Sequence, residues 1–336
     1  MVLIVTARDD FTADLIVKQL REQRPDVAVA RLDPSDDTYP LHMDVRLEGS
    51  RWSGCVSQGP TVVDLDQVGA ILWRWVWSPL GHPEVPDELA REWAAKEDQA
   101  ALFGTLKSLP AFWVNHPDAA ARAVPKPVQL CVARDLGLSV PHTAITTAGN
   151  KAAEWADALG LAQRTLHKAF NCQGIIEGGM IPAGRIDLTT LPDDLFAASM
   201  FQSLVEGDHV RLTVIGDRMF AAAIRGTERI DWRPEQKEAT YVPLGVPDEV
   251  QKQVREFMDH FDLAYGAFDF VVDRGDWVFL ECNPTGQYGF IEFNAGLPLT
   301  EAFAKMLADE AHRHSGGSEA VEPGEGSTRA VTGMAG

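Results

Sequence analysis

The stretch Tyr265 to Tyr288, YGAFDFVVDRGDWVFLECNPTGQY, limits the possible folds more than any other part of the chain. It reads as two short strands joined at Arg274-Gly275-Asp276, where the glycine supplies the positive φ of a three-residue hairpin loop. Opposed positions in an antiparallel pair keep a constant sum, so that loop sets the register. Asp273 faces Trp277, Phe270 faces Leu280, Asp269 faces Glu281 and Ala267 faces Asn283. Phe268, Phe270 and Val272 then meet Val278, Leu280 and Cys282 on the side expected to be buried. Asp269, Glu281 and Asn283 share the other side. Two carboxylates placed directly opposite repel each other unless positive charge lies between them. A hard divalent cation meets that need, and an all-oxygen set without His or Cys favours magnesium over zinc and suits a phosphate-bearing substrate. A half-exposed hairpin whose acidic face meets only water has the same spacing, so the rest of the chain has to decide.

With 336 residues the chain has room for two or three lobes around a sizeable core. Its net charge of -19 argues against nucleic-acid and anionic-membrane partners, so any bound polyanion must be met by a local basic cluster. Cys55, Cys131, Cys172 and Cys282 lie far apart with no CxxC, which indicates neither a disulfide framework nor a zinc site and fits a reducing cytoplasm. The opening MVLIVTARDD turns acidic after a few apolar residues, and no apolar run approaches a membrane span.

Val2 to Thr6 reads as a strand, Thr12 to Gln23 as a helix with Leu15, Ile16 and Leu20 on one face, and Val27 to Leu32 as a second strand. This βαβ opening predicts a small α/β lobe. Neither GxGxxG after the first strand nor GxxxxGK[ST] anywhere is present, so dinucleotide and P-loop binding are unsupported. Strands are expected at His42 to Leu47, Trp52 to Val56 and Ala70 to Trp77. The last of these ends in an aromatic stripe of Trp73, Trp75 and Trp77 that suits a core or subunit interface, with Arg74 as its functional candidate. A helix over Asp87 to Leu106 closes the lobe.

Lys126 sits between Pro125 and Pro127, ahead of a helix that Gly137 ends, and a lysine fixed in so stiff a segment suits phosphate binding. The strand Arg164 to Ala169 sends Leu166 and Lys168 to one face, where a lysine needs an anion or acid partner. Gly174, Gly178, Gly179 and Gly184 follow in a loop able to close over phosphates. Strands are expected at Met200 to Val205, Val210 to Ile215 and Met219 to Ile224, with Gly216-Asp217 as a turn. Arg211, Arg225, Arg229 and Arg233 cluster around them. Metal on one side of a phosphate chain and guanidinium forks on the other are what transfer from a nucleoside triphosphate requires. Leu299 to His312 reads as a closing helix.

Lys126 in KPVQLCVARDLGLSVPHTAITT, Lys168 in LHKAF, the hinge MFQSLVEGDHVRLTVIGDRMFAAAI and the terminal DFVVD…FLECNPTGQY together resemble the ATP-grasp superfamily over about residues 115 to 310. Within it the chain is most similar to graspetide synthetases, the microviridin-type peptide maturases, through VLIVTARDDFTADLIVKQL, LWRW and IDWRP. The resemblance implies an α/β (α+β) ATP-grasp fold in which two lobes clamp ATP behind an N-terminal pre-ATP-grasp lobe. The expected units are residues 1–117, 118–200 and 201–313, with 314–336 as a disordered tail.

The implied activity is ATP- and Mg2+-dependent macrocyclisation of a ribosomal precursor peptide, joining Asp or Glu side chains to Ser or Thr hydroxyls as esters or to Lys as amides. A homodimer is also implied. By the same resemblance, Lys126 and Lys168 hold the ATP phosphates, and Gln202, Ser203, Leu204 and Val205 offer backbone groups to adenine. Asp208 meets the ribose, and Arg211 stabilises the acyl phosphate. Arg233 binds phosphate or the substrate carboxylate, and Asp269, Glu281 and Asn283 bind magnesium. Asp231, Glu292 and His209 are the candidates for the base that deprotonates the acceptor. IEGGMIPAGR and WRWVW depart from the family pattern, which affects the phosphate loop and the partner contacts. Two alternatives are a ligase for a free amino acid or small amine and a non-catalytic nucleotide-binding regulator.

Overall fold

The computed structural model describes residues 1–82, 84–170, 183–227 and 230–315. The chain opens with β1 (Val2–Val5), α1 (Phe11–Gln23) and β2 (Val29–Leu32), followed by β3 (Leu41–Glu48), β4 (Arg51–Gln58) and β5 (Thr61–Asp64). It continues through β6 (Ala70–Trp73), α2 (Glu88–Lys107) and β7 (Phe112–Val114). A parallel sheet of order β2-β1-β6-β7 carries this part, beside an antiparallel β3-β4-β5 meander. The run Val2-Leu3-Ile4-Val5 is wholly buried because both faces of a parallel sheet are covered. Val2 and Ile4 meet α1 through Ala13, Ile16 and Leu20, whereas Leu3 and Val5 meet Val56, Val63, Leu102 and Leu106.

Next come α3 (Pro117–Ala123), α4 (Lys126–Asp135), β8 (Thr143–Ala148), α5 (Gly149–Ala158), β9 (Thr165–Lys168), β10 (Gly184–Arg185) and β11 (Asp194–Ser203). These strands form an antiparallel sheet of order β10-β9-β11-β8. The last part comprises β12 (Asp208–Ile215), β13 (Arg218–Arg225), β14 (Thr240–Leu244), α6 (Asp248–Phe261), β15 (Tyr265–Asp273), β16 (Asp276–Asn283), α7 (Gly289–Ala295) and α8 (Leu299–Ser315). Its sheet order is β14-β13-β12-β15-β16. The period-2 alternation of β12 divides the faces. Val210, Leu212 and Val214 join α6 and the Phe268, Phe270 and Phe279 cluster on one side, while Ile215 joins α8 on the other.

Four sequence expectations need correction. The hairpin loop has two residues, Arg274 and Gly275, both at positive φ (49° and 97°), so Asp273 faces Asp276 and Trp277 faces Val272. This is the loop length whose twist matches a strand pair. A bulge between Asp269 and Phe270 then places Phe270 opposite Phe279 and restores the expected register at Asp269–Glu281 and Ala267–Asn283. Trp277 and Phe279, not Val278 and Leu280, therefore pack on Phe270, at 5.3 and 5.8 Å between ring centroids.

β6 stops at Trp73 rather than Trp77, because Trp75 turns to φ 21° and Arg74 points inward. Trp75 and Trp77 are exposed. Helix α8 continues through Ser315, past His314, where the tail is expected to start. The rest of that tail lies outside the described residues, as do Cys172, Gly174, Gly178, Gly179 and Arg229. β11 starts at Asp194, six residues before the expected strand. Elements β5, α5, β14 and α6 stand outside the sequence reading, although Val250, Val254, Phe257 and Phe261 give α6 a plain helical stripe. Among the described residues no helix is long and apolar enough to cross a membrane.

Candidate active site

Strand pairing builds the centre of the site. Arg211 on β12 is opposite Asp269 on β15, which is opposite Glu281 on β16, so three charged side chains form one row across three strands. All three are buried. Arg211 Nη1 donates to Asp269 Oδ1 at 2.8 Å, and its Nη2 donates to the Gln287 carbonyl at 3.1 Å. Beside it runs a second row, Thr213, Ala267 and Asn283.

Two further cations come from other elements. Lys126, the first residue of α4, donates from Nζ to Glu281 Oε2 at 2.5 Å. Gln129, one turn later, fixes that helix to the sheet edge. Its Nε2 donates to the Cys282 carbonyl and its Oε1 accepts from the Cys282 amide, both at 2.8 Å. Arg233 Nη2 bridges the carboxylates, 2.6 Å from Glu281 Oε1 and 3.3 Å from Asp269 Oδ2, while its Nη1 reaches Asp231 Oδ2 at 3.3 Å. Arg233 thus places a guanidinium against both carboxylates. Among the described residues, no group of three or more His, Cys, Asp or Glu side chains is placed to hold a metal.

Electrostatics follow from this crowding. Burial alone would raise the Glu281 carboxyl, yet the charges of Lys126, Lys168 and Arg233 hold it well below the usual carboxylate range. Burial lowers the Lys168 ammonium, a shift that Glu281 opposes, and Lys168 forms no ion pair among the described residues. Burial also pushes the His209 imidazole down, which favours its neutral form. Burial would lower Arg211, but the charge and hydrogen bond of Asp269 together with Tyr265 outweigh it and raise the guanidinium.

The remaining expected residues are more scattered. Gln202 is buried on β11, with Nε2 3.0 Å from Thr143 Oγ1. The Ser203 amide donates to the His142 carbonyl at 2.9 Å and the Leu204 amide to the Arg164 carbonyl at 2.6 Å, so neither amide is open to a base edge. Val205 follows where β11 leaves the sheet. Asp208 pairs with Arg225 at 2.7 Å. Glu292 accepts from the Thr300 amide at 3.0 Å and from its hydroxyl, which ties it to the start of α8 rather than to the row.

The first 121 residues match the family of the MvdD pre-ATP grasp domain. The macrocyclase MdnC of Microcystis aeruginosa MRC, solved bound with precursor peptide MdnA, is 28% identical over 92% of this chain and 99% of its own, with a TM-score of 0.77. The chain has the ATP-grasp fold. A RiPP-associated ATP-grasp ligase of Chryseobacterium gregarium, in complex with ADP and a leader and core peptide, is 21% identical over 92% of this chain and 96% of its own, at TM-score 0.79. The ATP-grasp ligase PsnB, complexed with minimal precursor, Mg and ADP, is 22% identical over 92% and 97%, at 0.70. No curated protein sequence matches.

The ATP-grasp site fits a polyphosphate and its metal on its own chemistry. Lys126, Lys168, Arg211 and Arg233 surround Asp269, Glu281 and Asp231, so cations outnumber carboxylates and an anion completes the balance. The buried Nε of Arg211 has no hydrogen-bond partner among the described residues, and Asp269, Glu281 and Asn283 are the hard oxygen donors that magnesium takes. Sequence reasoning missed Gln129 as a clamp. It also missed Thr12, whose Oγ1 donates to Gln287 Oε1 at 2.8 Å and ties α1 to the loop after β16. These contacts join residues 153 and 275 apart in sequence and leave no periodic signal.

Proposed function

We propose that this protein is an ATP-dependent ligase that closes rings in a ribosomally made precursor peptide. A side-chain carboxylate of Asp or Glu takes the γ-phosphoryl group of ATP, ADP departs, and a Ser or Thr hydroxyl or a Lys amine displaces phosphate from the acyl carbon. The row Arg211–Asp269–Glu281, with Lys126 and Arg233 converging on it, carries this reading. Its support is a positively charged, water-poor centre where charge develops on phosphate oxygens.

In this reading Lys126 and Lys168 hold phosphates, and Arg211 and Arg233 orient the acyl phosphate and offset its charge. With the Ser203 and Leu204 amides already bonded, the other backbone groups of Gln202 to Val205 are left to face adenine, Asp208 faces the ribose, and Asp269, Glu281 and Asn283 hold magnesium, which supplies charge neutralisation on the phosphates. Asp231 or the neutral His209 accepts the acceptor's proton. The chain divides into units 1–117, 118–200 and 201–313. The free thiols of Cys55, Cys131 and Cys282 fit a cytoplasmic setting, and exposed Trp77, Leu89 and Trp93 fit a homodimer interface. Light scattering is then expected to give about twice the 36.8 kDa chain mass.

The test is the intact mass of a small acidic, Thr- or Lys-bearing peptide encoded beside this gene, after co-expression with the protein or with Glu281→Gln. Loss of one or more waters only with the unaltered protein is the expected result. An unchanged peptide, with ATP consumed instead on a free amine, would replace this reading with that of a small-molecule ligase.

A further inference from the structure

Beside the carboxylate row lies a cavity of about 500 Å³ lined by guanidinium groups, aromatic rings and the polar side chains of Gln236, Glu281, Asn283 and Gln287. Buried Arg211 and half-buried Arg233 bring guanidinium groups to it, and Trp232, Phe290, Phe11 and Phe293 bring aromatic rings. Trp232 and Phe290 are 5.3 Å apart between centroids, and the Arg211 guanidinium lies 6.0 Å from the Phe290 ring, so charged and aromatic linings are continuous. Phe11 and Phe293 differ from these in exposure. They are 58% and 61% exposed, which places them at the mouth, and their rings are 6.1 Å apart. One opens α1 and the other sits on α7, and the Thr12–Gln287 hydrogen bond ties α1 to the loop that leads into α7.

A scattered exposed phenylalanine is ordinary. Two that meet across separate elements at the mouth of a cavity leave apolar area in water that a ligand can cover. The occupant must present negative charge to the arginines and apolar bulk to the rings. Successive side chains of an extended peptide point to opposite faces, so when a carboxylate points inward to Arg211 and Arg233 its neighbour points outward, towards the mouth where Phe11 and Phe293 lie.

Resting on the assignment of this site to peptide carboxylate activation, we propose that the chamber selects the residue adjoining the reacting Asp or Glu, and that Phe11 and Phe293 make it a bulky apolar, preferably aromatic, one. They are specificity residues and take no part in the chemistry.

The test compares N-acetyl dipeptide amides, Phe-Glu and Glu-Phe against Ala-Glu and Glu-Ala, by calorimetric titration of the full chain in the presence of ADP and Mg2+. Hydroxamate formation from the same peptides with ATP and hydroxylamine is followed in parallel. A Phe peptide is expected to bind at least about tenfold more tightly than its Ala counterpart in one of the two orders, the scale of burying one ring. Phe11→Ala and Phe293→Ala are each expected to reduce that ratio to within about threefold. Equal binding of Phe and Ala peptides, no binding of either, or an undiminished preference in both variants overturns the proposal. Hydroxamate formed without any Phe preference removes the selectivity while carboxylate activation stands. Selective binding that never yields hydroxamate keeps the chamber and removes the activation chemistry.

Discussion

Arg211 depends on the absence of a single methyl group. A Cβ on Gly286 would lie 2.9 Å from Arg211 Nη2, 2.8 Å from Ala267 Cβ and 3.0 Å from Asn283 Cβ. The two Cβ atoms belong to paired strands and cannot yield cheaply, and the guanidinium is held at both ends by Asp269 and Gln287. Gly286→Ala is therefore expected to lose about 1–3 kcal/mol of stability from overpacking and most of the ATP-consuming activity. Gly245→Ala, which meets nothing within 4 Å, serves as the control. A urea titration and an ADP-release assay decide it, and wild-type behaviour of Gly286→Ala would show that the close approach does not constrain Arg211.

Lys126→Met tests the electrostatics. It removes the first of the cations that keep Glu281 ionised, so the Glu281 carboxyl rises. Activity that requires the carboxylate then falls off at a higher pH than in the unaltered protein, and an acid limb that stays in place rules this account out. The facing of Asp269 and Glu281 is legible in sequence because antiparallel pairing follows simple arithmetic. Arg233 as the bridge between them is not, since it arrives from a short turn outside the ladder.

Helix α4 shows how an element delivers a residue. Lys126 has no side chain fixing the helix start, because Pro125 offers no capping hydrogen bond. Gln129 does that work from one turn along, with its amide matched to the Cys282 peptide group next to Glu281. Gln129→Ala leaves the buried Cys282 amide and carbonyl without these partners, at a cost of about 1–3 kcal/mol for each unsatisfied group, and frees the N-terminal turn that carries Lys126. Stability and activity are both expected to fall. An unchanged urea midpoint with normal ADP release would show that α4 is held in some other way. Periodicity reveals such helices, as it does for α1 and α8, but not which polar group on them meets which strand. The hairpin bulge was hidden for a related reason: one extra residue at Leu280 is invisible to alternation until the two-residue turn is known, and it moves Trp277 and Phe279 to the core side.

The first and last sheets of the molecule are joined through its last helix. Helix α8 follows the strand pair that carries the site, yet its apolar face packs in one cluster with Val2, Ile4 and Leu72 of the first sheet, Ile16 and Leu20 of α1, and Ile215 of β12. The sequence predicts α8 as a closing helix but not this bridge, because the residues it joins lie almost 300 positions apart. Phe303 sits at the junction. Its ring is stacked 5.0 Å from Tyr288 and lies 5.0 Å from Tyr265, whose hydroxyl donates to the Gly286 carbonyl at 2.6 Å just behind Arg211. Burial raises the Tyr265 hydroxyl to about 12, so it remains a donor throughout the neutral range. Phe303→Ala opens a cavity in a cluster shared by the first and last sheets and is expected to cost about 3–5 kcal/mol. Because that core is common to both, the loss should appear as one cooperative transition displaced to lower urea, recorded alike by tryptophans of the first unit (Trp73, Trp113) and of the last (Trp232, Trp277). If the two sets of tryptophans instead unfold at separate midpoints, the units are independently stable and α8 merely lies against the first sheet.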